Sequence, residues 1–402
     1  MFFEILLFAL LGIFVGIITG ILPGLHPNTV FLLMFSLSFI FYNFPVYCFI
    51  VFIGSLAIAD TFFDLIPSIF LGAPEPDTAL SVLPGHKLLL EGRGYEALFF
   101  SVLGCFGAMM ISLITFPFIL YFVPLLHENL HNYIHILLLI VIFWMILSER
   151  GLGRIYAVFI TILAGVFGLI SLNSFSSQEV LFPALTGLFG FSTLLTSIQS
   201  DVHIPKQMEF KETRKNWVKG CFIGWLSGFF VGILPGVGTG QAGALASRIT
   251  GSNEENFLTA VGSISLSNVL FSLIAFYTLG KTRSGADWVL SQFINKLNFN
   301  DLLILITVMT FSCFVSLVLT LKLGKVCLNW IKKINYKILS LIVIIFVLSL
   351  VFIFSGYIGL LISLVGTFLG LLTISMKIKR THLMSFLILP TIFYYSGIYI
   401  FI

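Results

Sequence analysis

The chain has 402 residues, of which 58% are hydrophobic and only 9% charged, with a formal net charge of +4. A water-soluble domain carries roughly a quarter charged residues, so this composition excludes an aqueous surface over most of the molecule and makes lipid its solvent. So small a net charge also argues against nucleic acid as a partner.

No Asp, Glu, Lys or Arg occurs from Ile5 to Ala59, or again from Ile338 to Met376. One crossing needs about 20 apolar residues, so each stretch holds more than one. The start, Met1-Phe2-Phe3-Glu4, has no basic region and no small-residue cleavage site, and the first segment is expected to be a retained helix. The five cysteines show no Cys-x-x-Cys spacing, and neither a disulfide framework nor a zinc site is expected. With no HExxH, GxSxG or Walker A pattern, the chain does not read as an enzyme.

Self-comparison is informative. Gly12, Gly16, Gly20, Ile21, Leu22, Pro23 and Gly24 reappear as Gly224, Gly228, Gly232, Ile233, Leu234, Pro235 and Gly236, a constant offset of 212. Gly54 to Gly72 then aligns without gaps on Gly262 to Gly280 at an offset of 208, placing Asp60 opposite Asn268. The pattern predicts an all-α polytopic membrane protein of about 10–12 membrane segments. Residues 1–200 and 219–402 form two repeats, joined by a basic cytoplasmic linker at 201–218.

Basic residues gather at Lys87 and Arg93, Arg150 and Arg154, Lys206 to Lys219, Lys322 to Lys337, and Lys377 to Arg380. Placing all of them in the cytoplasm sets helices near 95–122, 131–148, 154–172 and 180–198, then 301–321, 338–354 and 357–376. Both termini fall outside. Residue 94 is then inside and its counterpart near 300 outside, an inverted-topology repeat. Lys281 and Arg283 fit this arrangement poorly, since they would sit at the outer side or in a re-entrant loop.

Pro inside a helix removes a hydrogen bond, and in lipid the freed backbone groups need partners. The breaks at 20–29 and 232–241 therefore read as broken helices. Half-helices starting near Thr29 and Thr239 would aim their positive ends at a midplane anion. The expected substrate-binding residues are Gly24, His26, Asn28 and Thr29 in the first break, and Gly236, Gly238, Thr239, Gly240 and Gln241 in the second. The glycine ladders ahead of the breaks read as helix packing.

Asp60 and Asp64, four residues apart in an apolar stretch, are costly there unless functional. With Ser265 and Asn268 they form the expected coupling-ion set, for Na⁺ or H⁺; no other cofactor or metal is expected. Glu75 and Asp77, between prolines, mark a turn with gating as the sharper alternative. His86, Lys87, Glu91 and Arg93 read as a solvated cytoplasmic face. His127, His131 and His135 could share one helix face and hold a metal, but interfacial histidines are the plainer reading.

At these residues the sequence resembles the TctA family, the large membrane subunit of the tripartite tricarboxylate transporters. The resemblance rests on the first-half Pro-Gly break, the loop from Leu71 to Leu98, and Pro183-Ala-Leu-Thr-Gly-Leu-Phe-Gly190. It continues in Leu234-Pro-Gly-Val-Gly-Thr-Gly-Gln241 and Arg380-Thr-His-Leu-Met384 with Leu389-Pro390. It implies a secondary carrier of di- and tricarboxylates in a prokaryotic cell membrane. It also implies a small membrane subunit and an extracytoplasmic binding protein as partners. Two features depart from the family: a shorter chain, and His26-Pro27-Asn28 in the first motif. The residues alone leave open a translocase of a lipid-linked anion such as polyprenyl phosphate, a lipid-modifying membrane enzyme, or a scaffold.

Overall fold

The computed structural model describes residues 2–22, 30–31, 34, 44–70, 82–130, 133–175, 177–199, 205–208, 217–233, 238–251, 253–294, 296–331 and 336–397. Among these the regular structure is helical throughout, with no strand. Among the described residues seven helices are long and apolar enough to cross a membrane, and three shorter apolar helices accompany them.

In chain order the first half contributes α1 (Phe2–Ile21), α2 (Val46–Phe63), α3 (Leu65–Phe70), α4 (Val82–Leu90), α5 (Gly94–Leu130), α6 (Ile134–Leu147), α7 (Gly153–Ser174) and α8 (Ser177–Leu185). A π turn at Thr186–Phe191 leads into α9 (Ser192–Gln199). The second half contributes α10 (Val218–Ile233), α11 (Thr239–Thr250), α12 (Glu254–Leu279), α13 (Gly285–Phe293), α14 (Phe299–Ile331) and α15 (Tyr336–Ser375). A 3₁₀ turn at Arg380–Met384 precedes α16 (Ser385–Ser396). In α15, Gly356 adopts φ 58° and ψ −153°, which divides the segment into arms at 336–355 and 357–375. Only glycine takes such a conformation without strain.

The glycine ladders explain the two matched segments. A methyl group on Gly12, Gly16 or Gly20 of α1 would lie 2.9, 2.6 or 2.8 Å from the Cβ of Ser55, Ala59 or Phe63 on the α2 helix. On Gly224, Gly228 and Gly232 of α10 it would lie 2.5, 2.5 and 2.6 Å from the Cβ of Ser263, Ser267 and Phe271 on α12. Adding 208 to each α2 position gives its α12 counterpart, so one helix pair is built twice. In both pairs residue numbers rise together, so the paired helices are parallel. The chain must therefore turn back between them.

The halves interlock. Gly54 of α2 faces Leu305 and Met309 of α14, while its counterpart Gly262 on α12 faces the backbone of Ser101 on α5. Gly54 meeting Leu305, and Phe70 meeting Gly324, make α2 parallel to α14. Leu98 meeting Gly324 and Thr310 bonding Met109 make α14 antiparallel to α5. Cys105 bonds the Gly262 carbonyl at 3.2 Å, and Ile119 and Val123 share a core with Ile274 and Ala275, so α5 runs parallel to α12. It follows that α2 and α12 run in opposite directions, as an inverted repeat requires.

Each half divides its helices between two bundles. The first unites α1–α5 with α10–α14 around Phe62, Phe100, Leu266 and Met309. The second unites α6–α9 with α15 and α16 around Ile160, Leu188 and Phe386. There Gly168 of α7 abuts the Phe386 backbone of α16, and Gly187 of the π turn abuts Ser363 of α15.

Candidate functional site

The described part of α10 ends at Ile233 and α11 starts at Thr239, and residues 234–237 between them lie outside the described residues. The Gly238 carbonyl accepts the Ala242 amide at 3.3 Å, so the helix ladder begins at this glycine. Thr239 is buried at the start of α11, and Gly240 and Gln241 lie in its first turn. With 12 residues, α11 is about 18 Å long, too short to cross a hydrocarbon core of about 30 Å. Gly24, His26, Asn28, Thr29 and Gly236 lie outside the described residues, as do Glu75 and Asp77.

Asp60 and Asp64 are both buried, at 2% and 7% exposure. The Asp64 amide bonds the Asp60 carbonyl at 2.9 Å, so helical register carries through the short join to α3. Thr19 donates its hydroxyl to Asp60 Oδ1 at 2.6 Å, and Ser68 donates to Asp64 Oδ1 at 3.3 Å. Thr19 is a functional candidate that sequence reasoning missed. With Gly12, Gly16 and Gly20 it lies on the α1 face turned toward α2.

Across the pseudo-symmetry, Ser265 bonds its own helix at the Val261 carbonyl, and Asn268 is half-buried on α12. Ser55 and Ser267 have buried hydroxyls without a hydrogen-bond partner among the described residues. Polar groups thus line both ladder pairs, but the two sets belong to separate helix pairs.

Charged side chains close one end of the first bundle. Lys87 pairs with Glu254, and Arg93 with Glu96 and Glu255. The Glu254 carboxylate raises the Lys87 ammonium above its ordinary range. Lys325 sits 5.0 Å over the Tyr95 ring, and Gln207 of the linker binds the Leu89 carbonyl and the Gly94 amide. The expected solvated face is therefore also a junction between the halves. His127 belongs to α5 and His135 to α6, so the histidine spacing does not run along one helix. No group of three or more His, Cys, Asp or Glu that could hold a metal occurs among the described residues.

At the opposite end, α12 finishes with Gly280 in the left-handed conformation, φ 65°. Ser284 and Asp287 then form a capping box for α13. Asp287 is fully buried, and burial raises its carboxyl to about 6 against the lowering effect of the Arg283 and Ser284 amides. In the second bundle, buried His382 lies 3.3 Å from Glu149 and 3.4 Å from Thr161. Burial lowers its pKa, partly offset by Glu149.

No solved structure matches the chain. An uncharacterized protein of Methanocaldococcus jannaschii is 33% identical over 401 residues, covering 97% of this chain and 98% of its own. The family model of the tripartite tricarboxylate transporter TctA family matches residues 6–385. That span takes in both glycine-ladder pairs and most of the core of both bundles. A multi-pass helical protein with this internal duplication, matched over nearly its whole length, belongs to the tripartite tricarboxylate transporter TctA family and is a membrane transporter component.

Proposed function

We propose that the chain is a secondary active permease for small organic anions, di- and tricarboxylates, coupled to Na⁺ or H⁺ by symport. The observation that carries this reading is the twice-built ladder pair, antiparallel between the halves, with the Ile-Leu-Pro-Gly sequence repeated after each ladder. Such an arrangement supplies two opposed half-helix starts whose amides favour an anion near the midplane.

In this reading Gly24, His26, Asn28 and Thr29 meet Gly236, Gly238, Thr239, Gly240 and Gln241 around the substrate. Asp60 and Asp64, with Ser265 and Asn268, bind the coupling ion. The Thr19–Asp60 bond supports this assignment, because it keeps a carboxylate oriented inside an apolar bundle. The Lys87, Arg93, Lys206 and Lys325 end faces the cytoplasm of a prokaryotic cell, with both termini outside. A small membrane subunit and an extracytoplasmic binding protein complete the system.

The test is uptake of labelled citrate into liposomes holding the purified chain, with and without the small subunit and a loaded binding protein. Accumulation driven by an inward Na⁺ or proton gradient supports the proposal. No flux of any di- or tricarboxylate under either gradient, with partners present, overturns it.

A further inference from the structure

Arg283 occupies the turn between α12 and α13, at the end of the bundle opposite the Lys87–Arg93 cluster. Its Nε and Nη2 are shielded from solvent and have no hydrogen-bond partner among the described residues. The nearest carboxylate in sequence does not serve it. Asp287 Oδ2 accepts the backbone amides of Arg283 and Ser284 at 3.2 and 3.0 Å, and its Oδ1 faces the Ser272 hydroxyl at 3.5 Å. Asp287 thus binds the main chain of the turn and leaves the guanidinium of Arg283 unneutralised.

Arg283 as a whole is half-buried, but shielded N–H donors left without an acceptor are unfavourable. Nε and Nη2 form one edge of the guanidinium, with two parallel N–H groups that match the two oxygens of a carboxylate. The halves differ at this place. Three residues past the end of the ungapped match, the counterpart of Arg283 is Glu75. The cation is therefore not repeated in the sequence of the first half.

We infer that Arg283 is a carboxylate-recognition residue at the mouth opposite the Lys87–Arg93 end, gripping one carboxylate of the incoming substrate through its Nε–Nη2 edge. This inference rests on the transport reading above and adds a residue to it that neither helix break contains.

The experiment is citrate, succinate and acetate titration of the purified full chain in detergent by calorimetry. Wild type is compared with Arg283→Gln, Arg283→Lys and, as an equal charge loss at the other end, Lys325→Gln. Citrate affinity should fall by at least about tenfold in Arg283→Gln. It should fall by a smaller factor in Arg283→Lys, which keeps the charge but loses the fork, and stay unchanged in Lys325→Gln. If Arg283→Gln does not fold by gel filtration, Arg283→Lys decides alone, and wild-type affinity in it overturns the inference.

Wild-type protein that binds citrate as tightly as Arg283→Gln overturns this inference and leaves the transport reading standing. Wild-type protein that binds no carboxylate overturns both. Thermal melts of wild type and Arg283→Gln, with and without phosphatidylglycerol in the micelles, separate a lipid headgroup from a soluble substrate. Arg283-dependent stabilisation by the lipid, without Arg283-dependent citrate binding, overturns the inference.

Discussion

Thr19 and Asp60 show how a single contact makes a carboxylate tolerable inside an apolar bundle. The hydroxyl reaches Oδ1 at 2.6 Å across the α1–α2 seam, where both residues are buried. Thr19→Val keeps the shape and removes the donor, and should cost about 1–3 kcal/mol. In the Asp60→Asn background the same change should cost clearly less, because the charge that needed the donor is gone. Melting of the four proteins of this cycle in detergent checks it; equal costs in both backgrounds would dismiss the coupling. Asp287 gives a pH prediction of defined sign. Its folded-state pKa of about 6 lies above the ordinary aspartate value of 3.8, so the folded chain holds this proton more tightly than the unfolded one. The contribution is complete below 3.8 and disappears as pH rises through about 6. Asp287→Asn keeps an oxygen for the Arg283 and Ser284 amides but cannot ionise. Relative to wild type, its stability should therefore rise between pH 4 and 7 by up to about 3 kcal/mol. Parallel pH–melting curves for the two proteins would count against it.

At the scale of elements, the ladder pairs set how closely α1 approaches α2 and α10 approaches α12. Gly16→Ala and Gly228→Ala place a methyl at 2.6 and 2.5 Å from the opposing Cβ, so each should lower stability by about 1–3 kcal/mol through overpacking. The two effects should be similar, since the pairs are equivalent. Gly190→Ala, whose methyl would meet only Thr186 at 3.7 Å, should be near neutral; comparable losses in all three would refute the close-approach account. These ladders were legible in the sequence because close helix packing demands small residues four apart, and duplication made the demand visible twice. Arg283 was visible as a residue that fitted the charge pattern poorly, but its shielded guanidinium edge was not. Thr19 was hidden because a lone threonine in an apolar helix carries no signal until its partner across the seam is known. The lesser, metal-binding alternative for the histidine series loses its basis for a local reason: α5 ends at Leu130 and α6 begins at Ile134, so a constant spacing spans two helices.

For the whole molecule, the contacts between halves are what a linear reading could least supply. Nothing near Gly54 specifies Leu305, and nothing near Gly262 specifies Ser101, yet these two contacts are images of one another. They place α5 beside α12 and α14 beside α2, so each half completes the other's bundle. The inversion itself was legible from the distribution of Lys and Arg, and the chain directions derived from these contacts agree with it. A consequence is that the two ends of α12 lie on opposite faces. It has 26 residues and is therefore about 39 Å long. Lys325 lies at the Glu254 and Arg93 end, beside Tyr95, while Lys281 follows Gly280 at the other end. Both lysines are exposed, and four of the five native cysteines are buried, so engineered thiols stand out above a low background. In sealed cells, a membrane-impermeant maleimide should label Lys281→Cys and spare Lys325→Cys; in inverted vesicles the pattern should reverse. Labelling of both positions from the same side would rule out the placement of the ends of α12 and α14 on opposite faces, and with it the chain directions from which the inversion was derived.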